Sequence, residues 1–223
     1  TLRWRDFFRA AENVGPNAVG IIALIGFLLG LIMAFQSAVP MQRFGAEIFV
    51  ADLVGTSLLR ELGPLITAVM LAGRSGSSFA AELGTMKINE EISALTTMGL
   101  NPVRFLVIPR IFAAVLMMPF LTVLFNFMGL IGGSIVLTSL GYPLVVYINQ
   151  VIGAVSILDL STGLFKSVIF GILVAAIGCY HGLRTETGAS AVGLSTTQAV
   201  VNGIIAIAVA DGFFAVLFYI LEI

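Results

Sequence analysis

Charged residues are scarce in this sequence, and their scarcity excludes most soluble folds. Only 10% of the 223 residues are charged, whereas about a quarter are charged in an ordinary soluble domain. Hydrophobic residues make up 59% of the chain, and its mean hydropathy is +1.08. Eleven Lys and Arg with twelve Asp and Glu cannot cover the surface of a soluble fold of this length. The sequence therefore predicts an integral membrane protein.

The sequence also has very few of the residues that build catalytic, metal or nucleotide sites. Cys179 and His181 are the only cysteine and histidine, which excludes an intramolecular disulfide and a cluster of Cys and His metal ligands. Neither Lys87 nor Lys166 follows a glycine, as the lysine of an ATP-binding phosphate loop does. The formal net charge of -1 excludes a broad basic surface for nucleic acid. We therefore expect a protein that is not an enzyme and that binds no metal, cofactor or nucleic acid itself.

Five apolar segments are long enough to cross a bilayer, which takes about 20 helical residues. They predict an all-α membrane domain that includes the whole chain, residues 1–223. Lys and Arg are concentrated on the side of the N-terminus, which predicts a cytoplasmic N-terminus and a C-terminus on the opposite side. The expected transmembrane helices are 16–39, 53–82, 107–138, 161–182 and 198–221.

Two further segments are predicted to lie at the membrane surface. Residues 1–14 place Trp and Phe on one helix face and Arg on the other, which is typical of an interfacial helix. A simple positive anchor would explain the arginines but not the aromatic face. Residues 144–158 are apolar but short and contain Asn149 and Gln150, which favours an external re-entrant or interfacial helix over a crossing.

Residues 86–99 predict a short amphipathic helix on the cytoplasmic side. Apolar residues recur at i, i+4 and i+7, while Glu90 and Glu91 lie on the polar face. Because the chain lacks an ATP site, we expect this helix to bind a basic groove on a partner ATPase and to transmit the energy of ATP hydrolysis to the spans. A connecting helix that only caps the bundle is the alternative. The apolar positions are Ile88, Ile92 and Leu95.

Four charges fall inside the predicted spans, all in their outer halves. They are two cations, Arg60 and Lys166, and two anions, Glu61 and Asp211. Because adjacent helix residues point about 100° apart, Arg60 and Glu61 each need a partner on another helix or in a wet cavity. We expect the four charges to meet near one outward-facing cavity; a purely structural cluster of ion pairs is the alternative.

Small residues spaced one helical turn apart predict close packing between helices. Among the small residues with this spacing are two pairs and one triplet, and packing is their simplest role. They are Gly26 with Gly30, Gly129 with Gly133, and Gly76 with Ala80 and Gly84.

Several blocks of sequence resemble one family, the MlaE/YrbE permeases. The resemblance covers essentially the whole chain, and the blocks occur in the family's order. The blocks are Leu58-Leu-Arg-Glu-Leu-Gly-Pro64, Ala72-Gly-Arg-Ser-Gly-Ser77, Ala81-Glu-Leu-Gly84, Glu90-Glu-Ile-Ser-Ala-Leu95 and Lys166-Ser-Val-Ile-Phe170.

The resemblance implies the permease subunit of an ABC transporter in the bacterial inner membrane. Such transporters move phospholipid or related lipids between that membrane and MCE-domain proteins outside it, and they support the lipid asymmetry of the outer membrane. The implied assembly is a permease homodimer with two cytoplasmic ATPase subunits and a periplasmic MCE ring. In some systems a small STAS-domain protein binds the ATPase.

The resemblance also implies roles for individual residues. Arg60 and Glu61 would line or gate the lipid pocket, with Lys166 and Asp211 also at the pocket. The helix over residues 86–99 would be the coupling helix that docks on the ATPase. Its coupling residues would be Lys87, Glu90, Glu91, Ile92, Leu95 and Met98.

Two functions of other classes remain open. The four charges within the spans could form the ion pathway of an ATPase-independent channel or secondary transporter. A non-transporting scaffold that anchors an ATPase or an MCE ring would tolerate the loss of all four.

Overall fold

The computed structural model describes residues 11–12, 14–186 and 188–221, and these are almost entirely helical, with no strand among them. The prediction of an all-α membrane protein is confirmed. The predicted interfacial helix over residues 1–14 falls almost entirely outside the described residues. Among the described residues, five helices are long and apolar enough to cross a membrane, namely α1 (Pro16–Gln42), α2 (Glu47–Ile88), α4 (Val103–Ser139), α6 (Ile157–Leu183) and α7 (Ala189–Ile220). Two shorter helices are α3 (Glu91–Thr97) and α5 (Leu144–Ala154).

The helix predicted over residues 86–99 is divided in two. The long helix α2 continues to Ile88, and α3 begins at Glu91 after a turn in which Glu90 adopts a φ of 60°. This left-handed conformation cannot continue an α-helix, so α3 takes a new direction. As predicted, Gly99 ends the segment. Its φ of 73° allows the N–H of the next residue, Leu100, to bond back to the carbonyl of Leu95 at 3.0 Å.

The apolar segment predicted over residues 144–158 also ends earlier than expected. The N–H of Asp159 donates to Ser156 Oγ at 3.2 Å, and the N–H of Ser156 donates to Asp159 Oδ2 at 2.9 Å. This reciprocal capping box starts a new helix, so α5 ends at Ala154 and α6 begins at Ile157. With 11 residues, α5 is too short to cross a bilayer.

The chain forms two compact units. The first unit comprises the described residues within Thr1–Ala18, Ala68–Met118 and Ser167–Ile223, and the second comprises Val19–Thr67 and Pro119–Lys166. Helices α1, α2, α4 and α6 contribute residues to both units, whereas α5 belongs to the second and α3 and α7 belong to the first.

In the second unit, α1 and α4 approach closely through three residues of the predicted glycine pairs, Gly26, Gly30 and Gly129, whereas Gly133 packs against Tyr147 of α5. A Cβ placed on Gly26 would lie 2.6 Å from the carbonyl oxygen of Phe125, and one on Gly30 would lie 1.9 Å from that of Gly129. Because no side chain fits between the two backbones, only glycine permits this contact. The predicted packing role of these residues is confirmed.

In the first unit, the small residues of α2 pack against α6. A Cβ on Gly178 would lie 2.6 Å from the carbonyl oxygen of Gly76, and one on Gly182 would lie 2.9 Å from that of Ala80. Gly84 lies under Thr185, whose Oγ1 would be 2.7 Å from an added Cβ. The predicted triplet therefore packs α2 against α6 and against Thr185, which follows α6.

The glycine contact between α1 and α4 can be tested with one added methyl group. Gly30→Ala should lower the free energy of unfolding by about 1–3 kcal/mol, because the backbones must separate to admit the Cβ. Gly20→Ala is the matched control, since nothing lies within 4 Å of its added Cβ. Both can be measured by thermal unfolding in nanodiscs with a thiol-reactive dye, because Cys179 is buried in the fold. Equal unfolding temperatures for the two variants would contradict the contact.

Candidate functional site

Arg60 and Glu61 lie in a widened turn of α2. Residues Leu58–Leu62 are π-helical, and the N–H of Gly63 bonds to the carbonyl of Leu58 five residues earlier. A π-turn inserts an extra residue into a helix, redirects the side chains around it and is frequent at functional sites. Leu58 is buried, whereas Arg60 and Glu61 are half-buried. The turn thus keeps its apolar side in the core and presents two charges.

A buried amide packs against the end of this turn. Asn126 of α4 is 4% exposed, and its Oδ1 would lie only 1.9 Å from a Cβ added to Gly63. Glycine at position 63 therefore admits the Asn126 side chain to the backbone of α2. Both residues belong to the second unit.

Glu61 is paired with Lys166 of α6. The distance between Lys166 Nζ and Glu61 Oε2 is 2.5 Å, and the lysine side chain is fully buried while the glutamate side chain is 37% exposed. A buried ammonium is strongly destabilising unless a carboxylate and further hydrogen bonds compensate its lost hydration. The Glu61 carboxylate supplies the compensating negative charge, and part of its side chain remains exposed.

Arg60 is paired with Asp159, which also belongs to α6. Its Nη1 lies 3.5 Å from Asp159 Oδ1, with side chains 34% and 15% exposed. Asp159 was not predicted as a site residue, although its capping-box spacing from Ser156 is readable in the sequence. As the 100° separation of Arg60 and Glu61 required, the two side chains take separate partners.

The four predicted charges are divided between the two units. Arg60, Glu61 and Lys166 lie in the second unit, whereas Asp211 is a half-buried residue of α7 in the first. Within the described part of the chain, no three His, Cys, Asp or Glu side chains are grouped so that they could hold a metal ion.

Polar contacts attach α5 to the start of α2. Gln150 Nε2 donates to Asp52 Oδ2 at 2.9 Å, and the hydroxyl of Tyr142, just before α5, donates to Glu47 Oε2 at 3.3 Å. Partial desolvation raises the pKa of Tyr142, and the neighbouring Glu47 carboxylate raises that pKa further. Tyr147, buried in α5, donates to the carbonyl of Leu130 at 3.0 Å.

In the first unit, α3 presents the predicted polar face. Glu90 and Glu91 are exposed, whereas Ile92 and Leu95 are half-buried, as the predicted amphipathic pattern requires. No residue of α3 itself is buried. Lys87 and Met98 flank the helix and are also exposed. The segment therefore offers a free surface of mixed polar and apolar character.

An open groove of about 700 Å³ runs between α6 and α7 in the first unit. Its lining is apolar apart from Asn202, whose amide nitrogen lies 2.8 Å from the ring Nε2 of His181. A surface of this kind suits an acyl chain or an apolar helix. Residues that line it include Ile169, Leu173, Ile205, Val209, Phe213 and Phe214.

The Lys166–Glu61 pair makes a stability prediction. Glu61→Gln should lower the free energy of unfolding by about 1–3 kcal/mol, because the buried ammonium loses its carboxylate. The double variant Glu61→Gln/Lys166→Met should recover most of that loss, because no buried charge remains. The measurement is thermal unfolding of the purified variants. A double variant less stable than Glu61→Gln alone would show that the ammonium does not depend on this carboxylate.

Comparison with known proteins shows the family. The family model described as Permease MlaE matches residues 7–217. A probable ABC transporter permease protein of Synechocystis sp. is 39% identical over 96% of this chain and 82% of its own length. The intermembrane phospholipid transport system permease protein MlaE of Haemophilus influenzae is 36% identical over 85% of this chain and 73% of its own.

A plant relative shows the same likeness. The chloroplastic protein trigalactosyldiacylglycerol 1 of Arabidopsis thaliana is 32% identical over 94% of this chain and 60% of its own length. The residues matched by the family model include the two helices that carry Arg60, Glu61 and Lys166. The chain is a multi-pass membrane protein, and it belongs to the MlaE permease family.

Proposed function

We propose that the chain is the permease subunit of an ABC transporter that moves phospholipid or a related lipid, driven by a separate ATPase. The observation that carries the proposal is the charged π-turn of α2, where Arg60 and Glu61 are partly open and are braced by Asp159 and Lys166 of α6. Charges inside a membrane span are rare and commonly mark a substrate path. The family match and the phospholipid transport named for the Haemophilus relative support the choice of substrate.

The chemistry of the turn suits a phospholipid headgroup. A guanidinium binds phosphate oxygens through paired N–H donors, and the Arg60 side chain is 34% exposed beside Asp159. Each cation of the turn faces a carboxylate, and the more exposed of the two is Arg60, which is therefore the proposed headgroup ligand. The acyl tails would stay on the apolar walls of the lipid pocket expected at Arg60. That pocket would widen and narrow as the ATPases open and close.

The exposed helix α3 is the proposed contact for the ATPase. Glu90 and Glu91 face away from the fold and suit a basic groove, while Ile92, Leu95 and Met98 provide apolar contacts. In this assembly the permease is a homodimer, and ATP binds only to the partner subunits. A periplasmic MCE protein would receive or deliver lipid, and a STAS-domain protein would bind the ATPase.

The proposed location is the bacterial inner membrane, with the N-terminus in the cytoplasm and the C-terminus in the periplasm. The concentration of Lys and Arg on one side of the spans supports this orientation. It places α3 beside the ATPase and α5 beside the MCE protein.

The proposal is tested in proteoliposomes that contain the permease with or without its ATPase and MCE protein. Fluorescent phospholipid should move only when all are present with ATP. Lipid or ion flux through the permease alone would instead support the ATPase-independent channel or secondary transporter. Complete assembly with no lipid movement in any condition would support the scaffold.

Arg60 and Asp159 provide a sharp test of the lipid site. Arg60→Gln should reduce lipid transfer by about ten-fold or more, because the phosphate loses a charge-assisted partner worth at least about 1.4 kcal/mol. Asp159→Asn is the matched control. It breaks the same ion pair, keeps an oxygen for the Ser156 cap and leaves the guanidinium available. Equal losses in both variants would show that the ion pair is required, rather than the arginine as a lipid ligand.

The proposed ATPase contact at Glu90 and Glu91 can be tested separately. Glu90→Lys/Glu91→Lys should lower the amount of ATPase that co-purifies with the permease, because reversed charges repel a basic groove. Glu186→Lys is the control, since it changes an exposed glutamate of the same unit outside α3. Quantitative co-purification from membranes measures both. Full ATPase recovery with the double reversal would rule out these glutamates as the contact.

A further inference from the structure

Arg110 makes three contacts near the start of α4. Its Nη2 donates to Glu82 Oε2 at 2.8 Å, and its Nη1 donates to the carbonyl of Leu106 at 2.7 Å. Its guanidinium carbon also lies 5.9 Å from the centre of the Phe79 ring. The arginine side chain is 13% exposed and that of Glu82 is 51% exposed. The Leu106 carbonyl therefore holds one terminal nitrogen of the guanidinium while the other nitrogen binds the glutamate.

These contacts join the two helices on either side of α3. Glu82 lies about two turns before the end of α2, and Arg110 lies about two turns after the start of α4. All the residues involved belong to the first unit. Because α3 buries none of its own residues, a force applied to it reaches the spans mainly through these flanking helices.

We propose that Arg110 is a positioning residue for energy coupling, an inference that rests on the proposed function. Arg110 clamps Glu82 so that the ends of α2 and α4 move together when the ATPase displaces α3. Without the clamp, α2 and α4 separate, and ATP hydrolysis moves less lipid.

The geometry requires an arginine in this position. One nitrogen is engaged by the Leu106 carbonyl while another binds Glu82, and the planar group lies near Phe79. A lysine ammonium carries the same charge but lacks the rigid fork that makes both bonds in this geometry. Arg110→Lys therefore removes the clamp while keeping the charge.

The experiment uses the complete transporter in proteoliposomes and measures lipid moved per ATP hydrolysed. Arg110→Lys and Glu82→Gln should each lower this ratio by about five-fold, while assembly and ATP hydrolysis are retained. The double variant should be no worse than either single variant, because both remove the same interaction. A role limited to stability would lower the yield of complex without changing the ratio.

Two exposed residues of the same unit supply matched controls. Arg104→Lys is the control for Arg110→Lys, because Arg104 is an exposed arginine of α4. Glu186→Gln is the control for Glu82→Gln, because Glu186 is an exposed glutamate outside the clamp. Both should keep the wild-type ratio. A similar fall in the controls, an unchanged ratio in Arg110→Lys and Glu82→Gln, or failure of both of these variants to assemble would overturn the clamp. Absence of ATP-driven transfer in the wild type would overturn the proposed function itself.

Discussion

The structure depends on compensation of charge within apolar helices. Lys166 is fully buried, and the carboxylate of Glu61 at 2.5 Å is what makes that burial tolerable. The pair fixes α6 against the π-turn of α2, which in turn sets where Arg60 points. Asp159 completes the arrangement because it both caps α6 and contacts Arg60. Two ion pairs between the same two helices thus define one partly open charged turn.

Glycines position the helices that carry these charges, because they let neighbouring backbones come into contact. Gly30 brings α1 onto the backbone of α4, and Gly63 admits the amide of Asn126. In the first unit, Gly76 and Gly178 do the same for α2 and α6. Since apolar side chains gain little from leaving lipid for protein, such close backbone contacts and buried polar pairs carry much of the specificity of packing.

Composition and periodicity were enough to predict the membrane class, the five long helices and the amphipathic character of α3. They also identified Arg60, Glu61 and Lys166, because a charge in an apolar run stands out. Glu61 and Lys166 prove to be directly paired, whereas the assignment of these residues to a lipid pocket stays a prediction. The meeting of all four charges near one cavity stays a prediction, because Asp211 lies in the first unit and the other three lie in the second.

Local backbone geometry was the part that periodicity could not predict. A π-turn has no side-chain repeat of its own, so the turn around Arg60 gave no signal. The break at Glu90 depends on one left-handed residue inside a helical pattern. In contrast, the boundary at Ile157 was readable, since Ser156 and Asp159 have the spacing of a capping box. Arg110 and Glu82 lie 28 residues apart in the sequence, and only the fold shows that they meet.

The central claim is that the charged turn of α2 contacts transported lipid, and a photoreactive residue tests it most directly. Benzoylphenylalanine would replace half-buried Leu62 in the turn and, as a reference, exposed Phe120 of α4. After illumination of the complete transporter, mass spectrometry would quantify phospholipid adducts with and without ATP hydrolysis. A lipid site in the turn predicts an adduct at position 62 whose yield changes with ATP, and an ATP-independent yield at position 120. The claim would be contradicted if position 62 formed no phospholipid adduct, or if its yield, like that at position 120, did not change with ATP hydrolysis.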